Sequence, residues 1–157
     1  MGITPRQLGH LVIKVRDVGR SEAFYAEYLG LHVTGRAETG MVFMASNNRS
    51  SHELALQPVN EKAPELSSEA VGLAHMAWQM GSFDDLRDAY EKLKTQPGLI
   101  KRVSSRDISV GIFLEDPDGH PIEMYYEIPK GQWTENISLV SGGKFPLDLE
   151  LENAVIK

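Results

Sequence analysis

The stretch LGHLVIKV at residues 8–15 recurs in outline as LAHMAWQM at residues 73–80. Both are rich in apolar residues at strand-like spacing, and both carry a histidine at the third position, His10 and His75. A tyrosine follows each histidine fifteen residues later. Together these matches predict that one structural unit has been duplicated within the chain.

The order of predicted elements supports the duplication, because each half runs strand, helix and three strands. Gly30 is expected to end the first helix, and Ser82 to begin the second as its N-cap. A loop rich in Pro, Glu and Ser joins the halves. The predicted strands are 8–15, 32–37, 41–46, 52–58, 72–80, 99–104, 110–115 and 121–128, and the predicted helices are 20–29 and 82–96.

The composition narrows the class of partner. A chain of 157 residues is long enough for a single-domain core, and its lack of cysteine excludes disulfides and agrees with a cytoplasmic location. The net charge is −6 and basic residues are dispersed, which argues against nucleic-acid and membrane partners. No signal peptide or membrane-spanning apolar run is expected. A small molecule is the predicted partner.

A third candidate group, Glu123, lies in EDPDGHPIEMYYE at residues 115–127. Ionised glutamate is seldom buried unless it is paired or binds a metal. Equivalent positions of a two-fold repeat lie near its axis, so His10 and His75 are expected to converge, and two imidazoles with one carboxylate suit Fe(II). The alternatives are hydrogen-bonded core histidines, and a Glu123 that pairs with a buried basic residue or faces solvent.

At these residues the sequence resembles the vicinal oxygen chelate superfamily of glyoxalase I, extradiol dioxygenases, fosfomycin-resistance proteins and bleomycin-binding proteins. Within it, the single-module catechol 2,3-dioxygenases are the most similar group. The resemblance is carried by GHLVIKV with His10, HELAL at 52–56, GLAHMAWQM with His75, and DPDGHPIEMYYE with Glu123.

The resemblance implies an α+β fold in which two βαβββ modules form a curved mixed sheet around a metal cavity. The modules are expected at about 7–58 and 71–128, within a single domain at 1–130. By matching motifs, the metal ligands are His10, His75 and Glu123.

The segment HELAL decides which reaction the resemblance implies. His52 matches the catalytic acid/base of extradiol dioxygenases, whereas Glu53 matches a fourth metal ligand of glyoxalase I and related epimerases. Neighbours on a strand point to opposite faces, so regular pleating allows only one of them to face the cavity. The alternation of side chains along the strand favours Glu53 as the residue that faces the cavity. His52 follows a loop, and at a position before regular pleating begins it would also be able to face the cavity. Each of them also has the simpler interpretation of a solvated residue at a strand end.

The extradiol pattern is incomplete in this chain. Such enzymes commonly carry a tyrosine ten residues before the ligand glutamate, where this sequence has Phe113, and a histidine in the preceding loop, where it has Ile108. Phe113 and Tyr125 are the predicted substrate-binding residues; Tyr125 lies two residues beyond Glu123 on the same strand face.

The leading hypothesis is therefore an Fe(II)-dependent extradiol, meta-cleaving dioxygenase that opens a catechol-like aromatic diol with O2. Mn(II), Ni(II), Co(II) and Zn(II) are the other candidate metals. Members of this superfamily often dimerise, so a homodimer is expected. The alternatives are a glyoxalase I-like lyase or epimerase that uses Glu53, a non-enzymatic antibiotic-binding protein, and a metal-binding relic without turnover.

The remaining predictions concern two histidines and the C-terminal tail. His32 and His120 are expected at the surface. The tail, residues 131–157, has alternating apolar residues. It is expected to cover the cavity mouth, to pack on the domain or a partner subunit, or to be poorly ordered.

Overall fold

A computed structural model describes residues 2–67 and 69–133, together with Lys144, Phe145, Leu147 and Leu149. The chain divides into two compact units. The first is Met1–Ser68 with Asp116–Gly119, and the second is Glu69–Glu115 with His120–Lys157.

The first unit is one four-stranded sheet with one helix. Its strand order is β1-β4-β3-β2, in which β1 is parallel to β4 and the other pairs are antiparallel. Its elements are β1 (Leu11–Val15), α1 (Val18–Leu29), β2 (His32–Arg36), β3 (Val42–Ala45) and β4 (Leu54–Pro58).

The second unit repeats this plan. Its strand order is β5-β8-β7-β6, with β5 parallel to β8 and the rest antiparallel. Its elements are β5 (Met76–Gln79), α2 (Phe83–Leu93), β6 (Arg102–Ser105), β7 (Ser109–Glu115), β8 (Pro121–Glu127) and a 3₁₀ turn at Lys130–Gln132.

The two units therefore have the same topology, and the predicted α+β fold of duplicated βαβββ modules is confirmed. The sheet prediction needs one refinement, because each module forms its own four-stranded mixed sheet. Five predicted strands also begin one to four residues later than expected, since β1, β3, β4, β5 and β6 start at Leu11, Val42, Leu54, Met76 and Arg102. His10, His52 and His75 thus lie at the entrances of strands.

The helix boundaries follow local capping chemistry. The Asp17 carboxylate accepts a hydrogen bond from Arg20 N at 3.0 Å, so α1 begins at Val18, two residues before the predicted start. Gly30 ends this helix with φ 67°, a conformation that favours glycine. The predicted N-cap of α2 is confirmed, because Ser82 Oγ accepts from Asp85 N at 3.1 Å.

The sheet of the second unit has a buried face and a more open face. Burial alternates on β8, where Ile122 and Met124 are buried, whereas every residue of β7 from Val110 to Leu114 is buried. Because side chains alternate across a strand, Glu123 and Tyr125 project to the opposite face, where both are half-buried. This opposite face carries the candidate functional side chains of the second unit.

The DPDG turn is anchored by side chains of the first unit. Tyr25 Oη donates to Asp116 Oδ2 at 3.0 Å, and the Asp118 carboxylate accepts from Arg16 N and Arg20 Nη2, both at 3.1 Å. Asp116 and Asp118 are both buried. Burial, strengthened by the charge and hydrogen bond of Asp116, raises the pKa of Tyr25 far above its ordinary value.

The burial of this turn overturns one prediction. His120 follows the turn and is 9% exposed, so its predicted surface position is wrong. The sequence pattern indicated a tight turn but gave no signal that His120 is buried. His32 is exposed, as predicted.

Part of the tail packs within the second unit. Phe145 is 2% exposed, its ring stacks on Phe83 with centroids 5.7 Å apart, and its backbone N donates to Ser105 Oγ at 2.8 Å. The other residues of the predicted tail segment beyond Trp133, apart from Lys144, Leu147 and Leu149, lie outside the described residues. Within the described ranges, no helix combines the length and apolar character needed to cross a membrane.

Candidate functional site

His10 and His52 meet in the first unit. They precede β1 and β4, which are parallel neighbours with Leu11 opposite Leu54, and this pairing brings the two strand entrances together. The ring centroids of the two histidines are 4.4 Å apart, and the edge of Phe43 contacts His52 at 5.0 Å. His52 is half-buried and His10 is exposed. The pair therefore presents two imidazoles at one end of the sheet.

The Glu53 carboxylate is directed into the preceding loop. Its Oε2 accepts hydrogen bonds from Ser46 N at 2.8 Å and Ser46 Oγ at 2.5 Å, and its Oε1 accepts from Asn47 Nδ2 at 3.0 Å. Partial burial acts to raise the pKa of Glu53, but these hydrogen bonds outweigh it, so the pKa lies below its ordinary value. Glu53 stabilises the loop as an anion.

His75 and Glu123 meet in the second unit. β5 and β8 are parallel neighbours in which Ala77 lies opposite Glu123. His75 precedes β5, and its Nε2 lies 3.2 Å from Glu123 Oε2. The Glu123 side chain is 18% exposed, which is a sheltered position for a carboxylate.

Gly111 makes room for the Glu123 carboxylate. A Cβ on Gly111 would lie 2.5 Å from Glu123 Oε1 and 3.1 Å from its Cγ, far closer than normal packing allows. The Glu123 side chain therefore lies directly over the backbone of β7. Any larger residue at position 111 would push the carboxylate away from its present position.

One row of side chains crosses the sheet of the second unit. Glu123 lies opposite Phe113, and Phe113 lies opposite Arg102. The Phe113 ring contacts His75 edge-on at 5.5 Å, and the Arg102 guanidinium lies 3.5 Å from the Phe113 centroid. These contacts place aromatic and basic side chains beside the His75–Glu123 pair.

A cavity of about 190 Å³ opens at this row. His75, Arg102 and Phe113 line it together with Ala74, Lys101, Leu114, Glu115 and Pro121. Tyr125 lies two residues beyond Glu123 on the same strand face. Partial burial raises the pKa of Tyr125, and the carboxylates of Glu127 and Glu123 raise it further, so its phenol remains a neutral hydrogen-bond donor.

The donor set of these pairs suits a divalent cation. Imidazole nitrogen and carboxylate oxygen are the ligands that Fe(II), Mn(II) and Zn(II) accept in proteins. Across the part of the chain that the structure describes, no three His, Cys, Asp or Glu side chains are grouped as a metal site. The structure pairs His75 with Glu123 and His10 with His52, and the ligand set drawn from the sequence remains a prediction.

Two residues that sequence reasoning missed, Arg102 and Gly111, contribute to this region. The register between β6, β7 and β8 places Arg102 and Gly111 beside Phe113 and Glu123. This register cannot be read from a sequence until it is known which residues of the strands pair. A glycine inside an apolar strand was the available signal for Gly111, because such a glycine often marks a close approach.

Two curated relatives of similar sequence are dioxygenases by name. Biphenyl-2,3-diol 1,2-dioxygenase 3 of Rhodococcus globerulus is 29% identical over 79% of this chain and 64% of its own length. Catechol-2,3-dioxygenase of Bacillus subtilis is 28% identical over 80% of this chain and 43% of its own length. This chain therefore spans less than two thirds of either relative.

A further relative is named for its metal. The manganese-dependent 2,3-dihydroxybiphenyl 1,2-dioxygenase of Geobacillus genomosp. 3 is 24% identical over 79% of this chain and 38% of its own length. Among solved structures, glyoxalase I of Leishmania major aligns with a TM-score of 0.62 and 25% identity, covering 78% of this chain and 88% of that protein.

The duplicated topology and the strand-entrance histidines agree with a family model. The model of the Glyoxalase/Bleomycin resistance protein/Dioxygenase superfamily matches residues 7–124. This range covers both sheets as far as the middle of β8. It includes all five of the residues predicted from the sequence as metal ligands or acid/base, His10, His52, Glu53, His75 and Glu123. The chain belongs to the Glyoxalase/Bleomycin resistance protein/Dioxygenase superfamily, the vicinal oxygen chelate proteins.

Proposed function

We propose that this protein is an extradiol dioxygenase that opens the ring of a catechol-like aromatic diol with a bound divalent metal and O2. The observation that carries the proposal is the placement of His52 against His10, while Glu53 is hydrogen-bonded to its loop. A histidine beside a metal ligand is what ring cleavage requires of this segment, whereas glyoxalase chemistry requires the glutamate. Two relatives named as dioxygenases of aromatic diols support the same choice.

The proposed metal ligands are His10, His75 and Glu123, and the proposed metal is Fe(II). Mn(II) is the next candidate, since one relative is named as manganese-dependent, followed by Ni(II), Co(II) and Zn(II). These residues would hold a metal whose chemistry, when bound, would be to activate the diol for reaction with O2. The 3.2 Å contact between His75 Nε2 and Glu123 Oε2 supports a shared role for these two groups.

The side chains around the metal would handle protons and orient the ring. His52 would accept a proton from a diol hydroxyl at an imidazole nitrogen and return it later, which an imidazole does readily near neutral pH. Tyr125 would donate a hydrogen bond from its neutral phenol. Phe113 would form an apolar wall against the substrate ring.

The proposed partners are a small aromatic diol and O2. The proposed form of the protein is a cytoplasmic homodimer that binds neither nucleic acid nor a membrane. A glyoxalase-like reaction is the second candidate, favoured by the likeness to glyoxalase I of Leishmania major. In that reaction Glu53 would act as ligand or base. Its three hydrogen bonds from Ser46 and Asn47 argue against the role, because those contacts would have to be given up or shared.

The test is reconstitution of the full-length protein under anaerobic conditions with Fe(II), Mn(II), Ni(II) or Co(II). Each form is then given a panel of catechols under O2 and, separately, the hemithioacetal of methylglyoxal with glutathione. A yellow ring-opened product with Fe(II) or Mn(II) supports the proposal. Isomerisation of the hemithioacetal with Ni(II) or Co(II), without ring opening by any form, would replace it with the glyoxalase reaction. His75→Ala is the control, which should lose either activity together with the bound metal.

A further inference from the structure

Arg102 is a cation held in place on the open face of the second unit's sheet. It lies opposite Phe113 in the β6–β7 pair, and its guanidinium carbon is 3.5 Å from the centroid of the Phe113 ring. Stacking on an aromatic face restrains the guanidinium plane while leaving its N–H groups available at the edge. Arg102 therefore presents donors in a restricted orientation.

Among the described residues, no acid neutralises the charge of Arg102. Within the described part of the chain, no carboxylate lies within ion-pair distance of its guanidinium. The other cation that lines the cavity, Lys101, is paired with Glu115 at 3.4 Å. Glu123 contacts His75 at 3.2 Å and is a proposed metal ligand. Arg102 is thus the remaining positive charge at the cavity.

The position of Arg102 relative to Glu123 fits a small aromatic substrate. The two residues occupy the same cross-sheet row on β6 and β8, with β7 between them. Two interstrand spacings separate their backbones by about 9.5 Å. Phe113, in the middle of the row, lines the cavity together with Arg102 and His75. A benzene ring chelated at one end would project a substituent along this row.

We propose that Arg102 binds an anionic substituent, a carboxylate, on the substrate, so that the preferred diol is a dihydroxybenzoate-type acid. The diol part of this proposal rests on the extradiol function proposed above. The anion-binding part rests on the geometry of Arg102 alone. A guanidinium binds a carboxylate through two parallel hydrogen bonds, which gives both affinity and orientation. Neutral catechols would lack this contact.

The test measures binding as well as turnover. The full-length protein, loaded anaerobically with Fe(II), is titrated by calorimetry with 2,3- and 3,4-dihydroxybenzoate and with the neutral amide of each. The wild type should bind at least one acid about 10- to 100-fold more tightly than its amide, as expected for a charge-assisted hydrogen-bonded pair. Arg102→Gln should remove this ratio. Arg106→Gln removes the same charge from outside the cavity lining and should retain it.

Equal binding of acid and amide by the wild type, or an unchanged ratio in Arg102→Gln, would overturn the role of Arg102. The ring-opening assay with unsubstituted catechol judges the proposed function separately. Ring opening without any preference for the acid would refute only the carboxylate proposal. Arg102-dependent binding of the acid without ring opening by any metal form would refute the dioxygenase function and retain the anion site. If neither acid nor amide binds, the carboxylate proposal fails, and the assay with unsubstituted catechol alone decides the dioxygenase function.

Discussion

The imidazole of His52 packs against that of His10 with ring centroids 4.4 Å apart, while the carboxylate of the next residue, Glu53, is hydrogen-bonded to Ser46 and Asn47. Two adjacent residues thus have separate tasks. His52 is available for chemistry and Glu53 stabilises a loop. This division is the basis on which ring cleavage is proposed in preference to glyoxalase chemistry.

The first prediction concerns His52 and Glu53. His52→Gln should lower kcat for ring opening about 10²- to 10⁴-fold, the usual contribution of a general acid or base, while bound metal stays the same. Glu53→Gln should change kcat less than about tenfold, because this carboxylate acts on its loop. Steady-state kinetics with metal analysis of each variant checks both. The reverse ranking would show that Glu53 carries the reaction and would favour the glyoxalase candidate.

The second prediction concerns Gly111. Gly111→Ala should weaken metal binding about 10- to 100-fold, because a Cβ would lie 2.5 Å from Glu123 Oε1 and displace that carboxylate. The measurement is competition with a chromophoric chelator. Gly35→Ala is the matched control in strand β2, where a Cβ would meet Phe43 at an ordinary 3.7 Å. Unchanged affinity in Gly111→Ala would mean that Glu123 does not bind the metal from its present position.

The third prediction concerns the buried Tyr25 hydroxyl. Tyr25→Phe should lower the free energy of unfolding by about 1.5–3 kcal/mol, because it removes a buried hydrogen bond to a carboxylate. Urea denaturation provides the measurement. Tyr126→Phe serves as control, since its hydroxyl makes no hydrogen bond within the described residues, and should change stability by less than about 0.5 kcal/mol. Equal effects of the two substitutions would contradict the prediction.

The fourth prediction is the pH dependence that Tyr25 introduces. Its pKa is raised in the folded protein, so the folded state keeps the proton when the unfolded state, with a tyrosine pKa of about 10, releases it. The stabilisation is fully present below about pH 10 and is lost as the pH rises above that value. Urea midpoints between about pH 9 and 11 should therefore fall more steeply in the wild type than in Tyr25→Phe. Equal slopes of the urea midpoint against pH in the two proteins would show that Tyr25 does not control the loss of stability at alkaline pH.

The fifth prediction concerns the tail. Phe145→Ala should cost about 3–5 kcal/mol of unfolding free energy, since the ring is 2% exposed and packs on Phe83 and Tyr126. Val71→Ala, at a fully exposed apolar residue, should change stability by less than about 0.5 kcal/mol. The two are compared by thermal and urea denaturation. A neutral Phe145→Ala would show that the tail does not stabilise the fold in solution.

The elements of the fold were largely predictable because their signals are local. Ser82 and Gly30 are a typical N-cap and C-terminal glycine, and both act as expected. The start of α1 was misplaced, because Asp17 was not recognised as a cap. His120 was misplaced for a different reason. The DPDG turn pattern beside it carries no signal of burial, which only the folded chain shows.

The sequence by itself determined the duplication, the α+β class and the candidate set of His10, His52, Glu53, His75 and Glu123. The duplication and the pairing of His10 with His75 follow from periodicity and repeated motifs, which are properties of neighbouring residues. The α+β class and the candidates His52 and Glu53 came from the resemblance to the superfamily. Only the tertiary structure decided that His52 contacts His10, that Glu53 binds its loop, and that Gly111 and Arg102 lie beside Glu123 and Phe113. The physical reason is that strand pairing sets these contacts, and a register shift of one residue would turn every side chain to the other face.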